Sequence, residues 1–371
     1  MGKTLLFAVC TFGVLLEVLS LAFVSWFDYR IGLAVPDIHQ PFSSFFVADR
    51  QLGWDTPGLV RSSEKLVPGK HSWASSYGDS FVYSSEVQES MSWQNQFQRL
   101  TGQEILNFGV CGYGTDQALL KLEKLYTRFP TPVVFFGLLP DNALRNVSVF
   151  KMFYFRQDGD PYLKPRFMLH EGHLVLYRPP VGSASDYSLL HDIEVARSIA
   201  ARDYWYQHML EVFGFDLLTG RGFPYSLESI EILLGAIRRS RRAGEVGPLL
   251  LDETSEVRRI LFLVLERFLG FARRKQFTPV IILNCARIDL GTPYLHVLSD
   301  FLRANEVPSI DMCRMLSREV TDGTSTMDML YHGEHYSERS YGVLARAVAA
   351  LLGDRSLEVR WGGGEQAGPD P

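Results

Sequence analysis

The sequence predicts an α/β fold built on a parallel β-sheet that helices cover on both faces. Short strand-like segments alternate with helix-like segments from residue 73 onward, which is the order that βαβ units produce. Two strand-like segments, "PVVFFGLL" at 132–139 and "FTPVIILNC" at 277–285, are apolar throughout. Such continuous apolar runs are typical of strands buried on both faces of a parallel sheet.

The remaining elements of this domain follow in chain order. Further strands are predicted at 72–80 (with a turn), 104–110 and 307–312, and helices at 87–102, 114–129, 256–276, 294–306 and 337–353. The 114–129 helix is amphipathic, and the first and last of these helices end at a glycine, Gly102 or Gly353.

The middle of the chain, at about 146–250, breaks this alternation. It contains a predicted hairpin that turns at Glu171-Gly172 and helical stretches near 192–213 and 227–241. We interpret it as an insertion over one end of the sheet, where substrate-shaping elements commonly lie. The predicted organisation is a membrane anchor at 1–30, a loop-rich linker at 31–70, a main domain at 71–355 that carries the insertion, and a disordered tail at 356–371.

The N-terminus carries an apolar segment at 4–27 whose one charge is Glu17. A bilayer-spanning helix needs ~20 such residues, so we interpret the segment as a single-pass, uncleaved anchor. A cleaved signal peptide ending at Ala22 and a buried core helix are the alternatives. Glu17 at bilayer depth is expected to be protonated or paired. A small charge bias, with Lys3 before the segment, favours an extracytoplasmic main domain.

Composition excludes several classes of function. The net charge is −5, the pI is near 6.0, and no basic stripe appears, so nucleic acid is not an expected partner. The cysteines form no CxxC pair and match no zinc module; we predict free, buried thiols at Cys111, Cys285 and Cys313. The histidine pairs His170/His173 and His332/His335 lack a third ligand nearby. We therefore predict no metal and no cofactor.

Polar and glycine-rich segments follow three of the predicted strands. Ser80 ends the tripeptide Gly-Asp-Ser, "NFGVCGYGTDQ" covers 107–117, and "FFGLLPDNALRN" covers 135–146. A fourth segment, "HGEHYSERSYGVLA" at 332–345, precedes the last helix. Ligands gather beyond the carboxyl ends of parallel strands, so we expect these segments to meet at one edge of the sheet.

Acyl transfer is the chemistry that these residue types fit. It needs a hydroxyl nucleophile, a base that takes its proton, and hydrogen-bond donors aimed at the developing oxyanion. Ser80 can supply the nucleophile and a histidine the base. The amides of Ser80 and Gly112 and the side chain of Asn142 can supply the donors. A Gly-Asp-Ser tripeptide alone is also an ordinary turn, so the prediction depends on all four segments.

Together these segments resemble the SGNH/GDSL hydrolase superfamily of serine esterases and acyltransferases. The likeness lies in "GDSF", in "NFGVCGYGTDQ" and in the form His-x-Ser-x-x-x-x-Gly-x-x-Ala, and it spans roughly 72–352 without the insertion. The resemblance implies a flavodoxin-like three-layer α/β/α fold. It implies Ser80 as nucleophile and His335 as base. It also implies that Gly112 and Asn142 contribute to the oxyanion hole.

Two positions depart from the family pattern. The third block normally reads Gly-x-Asn-Asp, whereas Gly137 is followed here by Leu-Leu-Pro-Asp-Asn, which favours Asn142 over Asn146. The family places an aspartate three residues before the histidine, and this chain has a histidine there. The candidates for the third triad member are His332, Asp328, Glu334 and Asp322. A backbone carbonyl is the alternative, and it would leave a Ser-His dyad with a weaker base.

The sequence therefore predicts a membrane-anchored serine ester hydrolase or O-acyltransferase that works through an acyl-enzyme on Ser80. The expected substrate is an ester, and the anchor favours a glycan or lipid ester. The alternative is a weak or inactive hydrolase-like protein that binds a glycan or a partner in an envelope assembly. The histidine at the acidic position, His332, favours that alternative. The oligomeric state is left open.

Overall fold

A computed structural model describes residues 2–31, 45–58, 61, 72–154, 162–213, 218, 224–239, 246–289 and 295–353. The helices are α1 Gly2–Ile31, α2 Ser80–Tyr83, α3 Trp93–Thr101, α4 Thr115–Leu125, α5 Asn142–Asn146, α6 Lys151–Tyr154, α7 Ile193–Ala200, α8 Tyr204–Phe213, α9 Tyr225–Arg239, α10 Val246–Leu251, α11 Glu256–Lys275, α12 Leu295–Ala304, α13 Met312–Thr321, α14 Met327–Leu330 and α15 Glu338–Gly353. The strands are β1 Val47–Asp49, β2 Gly53–Asp55, β3 Ala74–Tyr77, β4 Ile105–Asn107, β5 Val133–Leu138, β6 Arg166–His170, β7 His173–Tyr177, β8 Thr278–Leu283, β9 Ser309–Asp311, β10 Tyr331–His332 and β11 His335–Tyr336.

The described residues form two compact units. The sheet unit falls within 55–146, 169–175 and 249–371, and the anchor unit falls within 1–54, 147–168 and 176–248. Much of the predicted linker at 31–70 and all of the predicted tail at 356–371 lie outside the described residues.

Within the described residues, the central sheet has five parallel strands in the order β4-β3-β5-β8-β9. Numbered by their order in the chain, these strands run 2-1-3-4-5, which is the flavodoxin-like order. The chain passes from β3 outward to β4 and then crosses back to β5. The loops after β3 and β5 therefore leave the sheet on either side of the switch point, where ligands bind in open α/β sheets.

Helices pack on both faces of the sheet. Because neighbouring side chains along a strand point to opposite faces, Phe135 and Phe136 contact different helices. Phe135 of β5 meets Trp93 of α3 edge-on, with ring centroids 5.5 Å apart. The next residue, Phe136, stacks on Phe268 of α11 at 4.5 Å. On the first face α15 packs against α3, and on the second face α4 packs against α11. The predicted three-layer α/β/α fold is confirmed.

The prediction of free thiols at Cys285 and Cys313 is wrong. These residues form a disulfide with Cα atoms 5.0 Å apart. β8 and β9 are parallel with Leu283 opposite Asp311, and each cysteine lies two residues beyond that pair. The register therefore brings the two thiols together although 28 positions separate them, and a sequence reading without the register could not pair them. Cys111 takes no part in a disulfide, as predicted, and it is only partly buried.

The anchor unit contains α1, which is the one helix among the described residues that is long and apolar enough to cross a membrane. The candidate span Gly2–Trp26 has a mean hydropathy of 2.3, and 6% of its most apolar window is buried. A signal sequence has the same properties. The unit also contains β1, the first two residues of β2, and α6 to α9 from the region interpreted as an insertion.

The disulfide should stabilise the sheet unit by constraining the unfolded chain. For a closed loop of this length, chain entropy accounts for about 3–4 kcal/mol. We expect the double substitution Cys285→Ala/Cys313→Ala, and reduction of the native protein, to lower the free energy of unfolding by about this amount. Urea denaturation of the purified full chain measures it. The matched control is Cys10→Ala/Cys111→Ala, which removes the two cysteines outside the disulfide; an equal loss in the control would contradict the prediction.

Candidate active site

Ser80 begins a short helix directly after the first strand of the central sheet. β3 ends at Tyr77, Gly78 and Asp79 form the turn, and α2 starts at Ser80. The Asp79 carboxylate accepts a hydrogen bond from the Phe81 amide at 3.0 Å, as an N-cap side chain does. Ser80 is 7% exposed. The turn therefore presents the serine at the carboxyl end of β3, beside the switch point of the sheet.

Two glycines let α2 approach the sheet closely. A Cβ atom on Gly137 of β5 would lie 2.3 Å from Val82 Cγ2, and one on Gly109 would lie 2.5 Å from the Tyr83 amide nitrogen. Both distances are far below van der Waals contact, so a larger residue at either position would displace α2. Gly109 of the second polar segment and Gly137 of the third thus have a packing role around the helix that carries Ser80.

His335 reaches Ser80 from a short hairpin that precedes α15. β10 and β11 are antiparallel, with His332 opposite His335. The Cys285 amide donates a hydrogen bond to the Tyr336 hydroxyl at 2.7 Å, which ties the hairpin to the end of β8. His335 Nε2 lies 2.8 Å from Ser80 Oγ. The fold therefore joins the two side chains in one hydrogen bond; their roles as base and nucleophile stay predictions.

The structure does not pair any of the candidates for the third triad member with the imidazole, although the Glu334 carboxylate favours its charged form. Within the described residues, no side-chain hydrogen bond or ion pair joins His335 to any of them. Asp328 is exposed and pairs with Arg287 at 2.8 Å. The other three are exposed: His332, Glu334 and Asp322.

A carboxylate that the sequence analysis missed lies beside His335. Glu86 Oε1 is 3.6 Å from His335 Nδ1, which is an ion-pair distance and longer than a direct hydrogen bond. Glu86 follows Ser80 by six residues, in the turn after α2, and its side chain is 48% exposed. The signal that could have found it is an acidic residue close in sequence to Ser80, the predicted nucleophile, whereas the family pattern directs attention to the residues before the histidine.

Asn142 begins α5, and its amide group is fully engaged. Nδ2 donates to Asp79 Oδ2 at 2.9 Å and to the Tyr113 carbonyl at 3.3 Å, while Oδ1 accepts from the Leu139 amide at 2.8 Å. A carboxamide has two N–H bonds, so in this arrangement none is left for an oxyanion. Asn142 instead orients Asp79, the N-cap of the helix that carries Ser80.

A buried arginine completes this polar network. Arg145 Nη1 lies 3.3 Å from Asp79 Oδ2, and both side chains are at most 5% exposed. The same nitrogen donates to the Tyr113 carbonyl at 3.1 Å. A buried carboxylate is costly unless it is paired and hydrogen-bonded, and Asp79 has both kinds of partner. The side chain of Asn146, the weaker asparagine candidate, instead accepts a hydrogen bond from the Thr115 hydroxyl through Oδ1 at 2.9 Å.

The backbone amides of Ser80 and Gly112 are the other predicted oxyanion donors. The Ser80 amide is the first of α2 and has no acceptor within its helix; no other acceptor for it is found among the described residues. Gly112 has a φ of +80°, a conformation that glycine adopts without strain. Two residues before it, the Val110 amide donates to the Gly78 carbonyl at 3.0 Å. The loop that carries Gly112 therefore lies beside the turn that carries Ser80.

Burial lowers the pKa of the His335 imidazole below its ordinary value of 6.5. The carboxylates of Asp79, Glu86 and, more weakly, Glu334 oppose this shift, and Arg145 adds to it. The net direction favours the neutral imidazole, which is the form that can accept a proton from a hydroxyl. At neutral pH the pair can therefore act as hydroxyl and base without a prior deprotonation of the histidine.

No cluster of three or more metal-ligating side chains occurs in the part of the chain that the structure describes. His170 and His173 end and begin the strands β6 and β7, and both are exposed.

Known proteins resemble this chain in structure, while no family model and no curated protein matches it in sequence. One similar structure is a G-D-S-L family lipolytic protein from Veillonella parvula, with a TM-score of 0.35, 12% identity, and coverage of 76% of this chain and 98% of that one. Another is a mutant of the esterase AlinE4, with a TM-score of 0.33, 12% identity, and coverage of 78% and 98%. These values are low, so the functional argument rests on this chain's own residues.

The His335 imidazole should titrate below pH 6.5, because burial disfavours its charged form. Removing the opposing negative charge with Glu86→Gln should lower the pKa further. NMR titration of histidine-labelled protein measures both shifts, with the resonance assigned by its absence in His335→Asn. The matched control Glu89→Gln removes a nearby exposed charge that has no contact with the ring and should leave the titration unchanged. A pKa that rises in Glu86→Gln would contradict the electrostatic role of Glu86.

Proposed function

We propose that this chain is a serine-dependent ester hydrolase or O-acyltransferase that works through an acyl-enzyme on Ser80. The observation that supports this most is the 2.8 Å distance between Ser80 Oγ and His335 Nε2, because a nucleophilic hydroxyl needs a base within hydrogen-bond reach. The lowered pKa of His335 supports the same role.

The reaction has two stages. In the first, His335 Nε2 takes the proton of Ser80 while Oγ attacks the acyl carbonyl, and the protonated imidazole then donates that proton to the leaving alkoxide. In the second, His335 takes a proton from water or from an acceptor hydroxyl, which attacks the acyl-enzyme, and the proton returns to Ser80 as the acyl group leaves. Water gives hydrolysis, and an acceptor hydroxyl gives transfer.

The amides of Ser80 and Gly112 are the proposed oxyanion donors. One such donor is worth about 2.7–4 kcal/mol of transition-state stabilisation. For Asn142 we propose a different role from the one that the family resemblance implies. It holds Asp79, which caps α2 and so keeps the Ser80 amide and hydroxyl in place. A bound substrate would have to draw Asn142 away from Asp79 before its side chain could reach an oxyanion.

Glu86 is the proposed positioning residue for His335. At 3.6 Å from Nδ1, its carboxylate favours the tautomer that carries a proton on Nδ1 and leaves Nε2 free to accept the Ser80 proton. It also stabilises the imidazolium that forms during the attack. Because both side chains are partly exposed, solvent screens the pair, and its contribution is smaller than that of a buried triad carboxylate.

The proposed setting is a membrane surface outside the cytoplasm. α1 is apolar and long enough for an anchor, and the Cys285–Cys313 disulfide fits an oxidising compartment. An anchored enzyme meets substrates that are themselves held at the membrane, so we propose an ester of a lipid or of a membrane-associated glycan.

Replacing the nucleophile should abolish turnover. We expect Ser80→Ala to reduce hydrolysis of short-chain aryl acetates by the purified full chain by roughly 10⁴-fold or more, since the acyl-enzyme can no longer form. It should also prevent labelling by a fluorophosphonate probe, which reacts with activated serines. The matched control is Ser90→Ala, an exposed serine in the following turn, which should keep both activities.

If the chain is instead a binding protein with a hydrolase-like fold, the turnover and labelling experiments give the opposite result. In that case the unsubstituted chain takes no fluorophosphonate label and releases no product at any pH, although its fold is intact. The position of Asn142, with both N–H bonds engaged, is the observation that favours this alternative.

Glu86→Gln should reduce kcat by about 10- to 100-fold, well short of the ~10⁴-fold loss for a buried triad aspartate. KM should change little, because Glu86 is proposed to contact the base and not the substrate. The acid limb of the pH–rate profile should move to lower pH, since Glu86 raises the pKa of His335. Glu334→Gln and Asp328→Asn are matched controls. A loss confined to either control would assign the positioning role to that residue and refute it for Glu86.

A further inference from the structure

A second helix lies along α1 in the anchor unit. α9 packs against α1, and the hydroxyl and amide of Ser226 both donate to the Glu17 carboxylate, the amide at 3.4 Å. One turn further on, the Ser229 hydroxyl donates to the Ser20 carbonyl at 3.4 Å. Both pairs are separated by 209 positions in the chain. The two helices therefore run side by side in the same direction.

This register sets the depth of α9 relative to the candidate span of α1. Glu17 is three residues past the middle of Gly2–Trp26, or about 5 Å at 1.5 Å per residue. The hydrocarbon core extends about 15 Å to either side of its centre. α9 thus starts within the span and runs toward its C-terminal end. Residues 227–234 lie alongside residues 18–25, and Arg238 and Arg239 fall beyond Trp26.

The outward side of α9 is apolar at this depth. Four aliphatic side chains are 47–59% exposed: Leu227, Ile230, Leu233 and Leu234. At 100° per residue they fall on one arc of about 120°. We call these four residues the α9 apolar face. In water such a face would be unfavourable by about 25 cal/mol for each Å² exposed, whereas acyl chains would cover it at no such cost.

The start of α9 also accounts for the charge in α1. A helix that begins within hydrocarbon leaves its first amides without water, and each unsatisfied group is costly there. The Glu17 carboxylate accepts hydrogen bonds from the amide and the hydroxyl of Ser226. The carboxyl group in the middle of α1 and the polar start of α9 therefore satisfy each other, which is the pairing that an intramembrane carboxyl needs.

We propose that α9 is embedded in the leaflet nearest the C-terminal end of α1, with lipid acyl chains against the α9 apolar face. Acyl chains are the occupant because α9 lies alongside the apolar span over residues 227–234, and its last two residues, Arg238 and Arg239, come after the level at which the span ends. The proposal takes α1 as a retained anchor. Cleavage after Ala22 would remove Glu17 and Ser20, the two residues that hold α9.

The test places an environment-sensitive fluorophore at single cysteines of the full chain in phosphatidylcholine nanodiscs, with Cys10 and Cys111 replaced by serine. Probes go on Ile230→Cys and Leu234→Cys. Val14→Cys, exposed on α1, is the membrane reference, and Arg318→Cys, exposed on α13, is the water reference. We expect the α9 probes to match the α1 reference: blue-shifted emission, strong quenching by nitroxide-labelled lipid and weak quenching by iodide.

Two results would overturn the proposal. Iodide quenching of the α9 probes as strong as at position 318 would place the face in water. Protection from both quenchers, with crosslinking between chains through the same cysteines, would assign the face to a second copy of this protein.

Substitutions at Glu17 test the capping contact separately. Glu17→Gln keeps a carbonyl acceptor for Ser226 and should leave the probe at Ile230→Cys in lipid. Glu17→Ala removes the acceptor and should shift that probe toward water, with several-fold stronger iodide quenching, while the probe at Val14→Cys stays in lipid. Equal quenching in the two variants would refute the role of Glu17 as the cap of α9.

Discussion

Parallel pairing of β3 with β5 is the constraint on which the site depends. Because the two strands run in the same direction, the segments that follow them leave the sheet at the same edge. One carries Asp79 and Ser80, and the other carries Asn142 and Arg145. The hairpin with His335 is tied to the same edge through the Cys285 amide at the end of β8. Side chains that are 255 positions apart can therefore form one hydrogen bond.

The buried carboxylate of Asp79 links the fold to the chemistry. It accepts from the Phe81 amide, the Asn142 amide group and the Arg145 guanidinium, so its charge is compensated although it lies away from water. These contacts fix the direction of α2 from its first residue. The same carboxylate favours the charged form of His335, while the neighbouring Arg145 opposes that effect. The network thus positions the proposed nucleophile, Ser80, and also influences the proposed base, His335.

The anchor unit also contains a carboxylate that is compensated by hydrogen bonds at the start of a helix. Glu17 lies in an apolar helix, and it is compensated by the amide and hydroxyl of Ser226. In both units a carboxylate accepts a hydrogen bond from a backbone amide at the start of a helix, where amides have no acceptor within the helix. In the sheet unit that contact holds the proposed nucleophile. In the anchor unit it supports the proposed placement of α9 beside the candidate span.

The sequence by itself determined the α/β class, the sheet strands, the hairpin at Glu171-Gly172, and Ser80 and His335 as a pair to be brought together. These features depend on local patterns: apolar runs, turn residues and short motifs. Only the tertiary structure decided the partner of Cys285, the engagement of Asn142 and the proximity of Glu86 to His335. Each of these depends on strand register or on the direction of a side chain, and neither quantity is encoded in the spacing of residues along the chain.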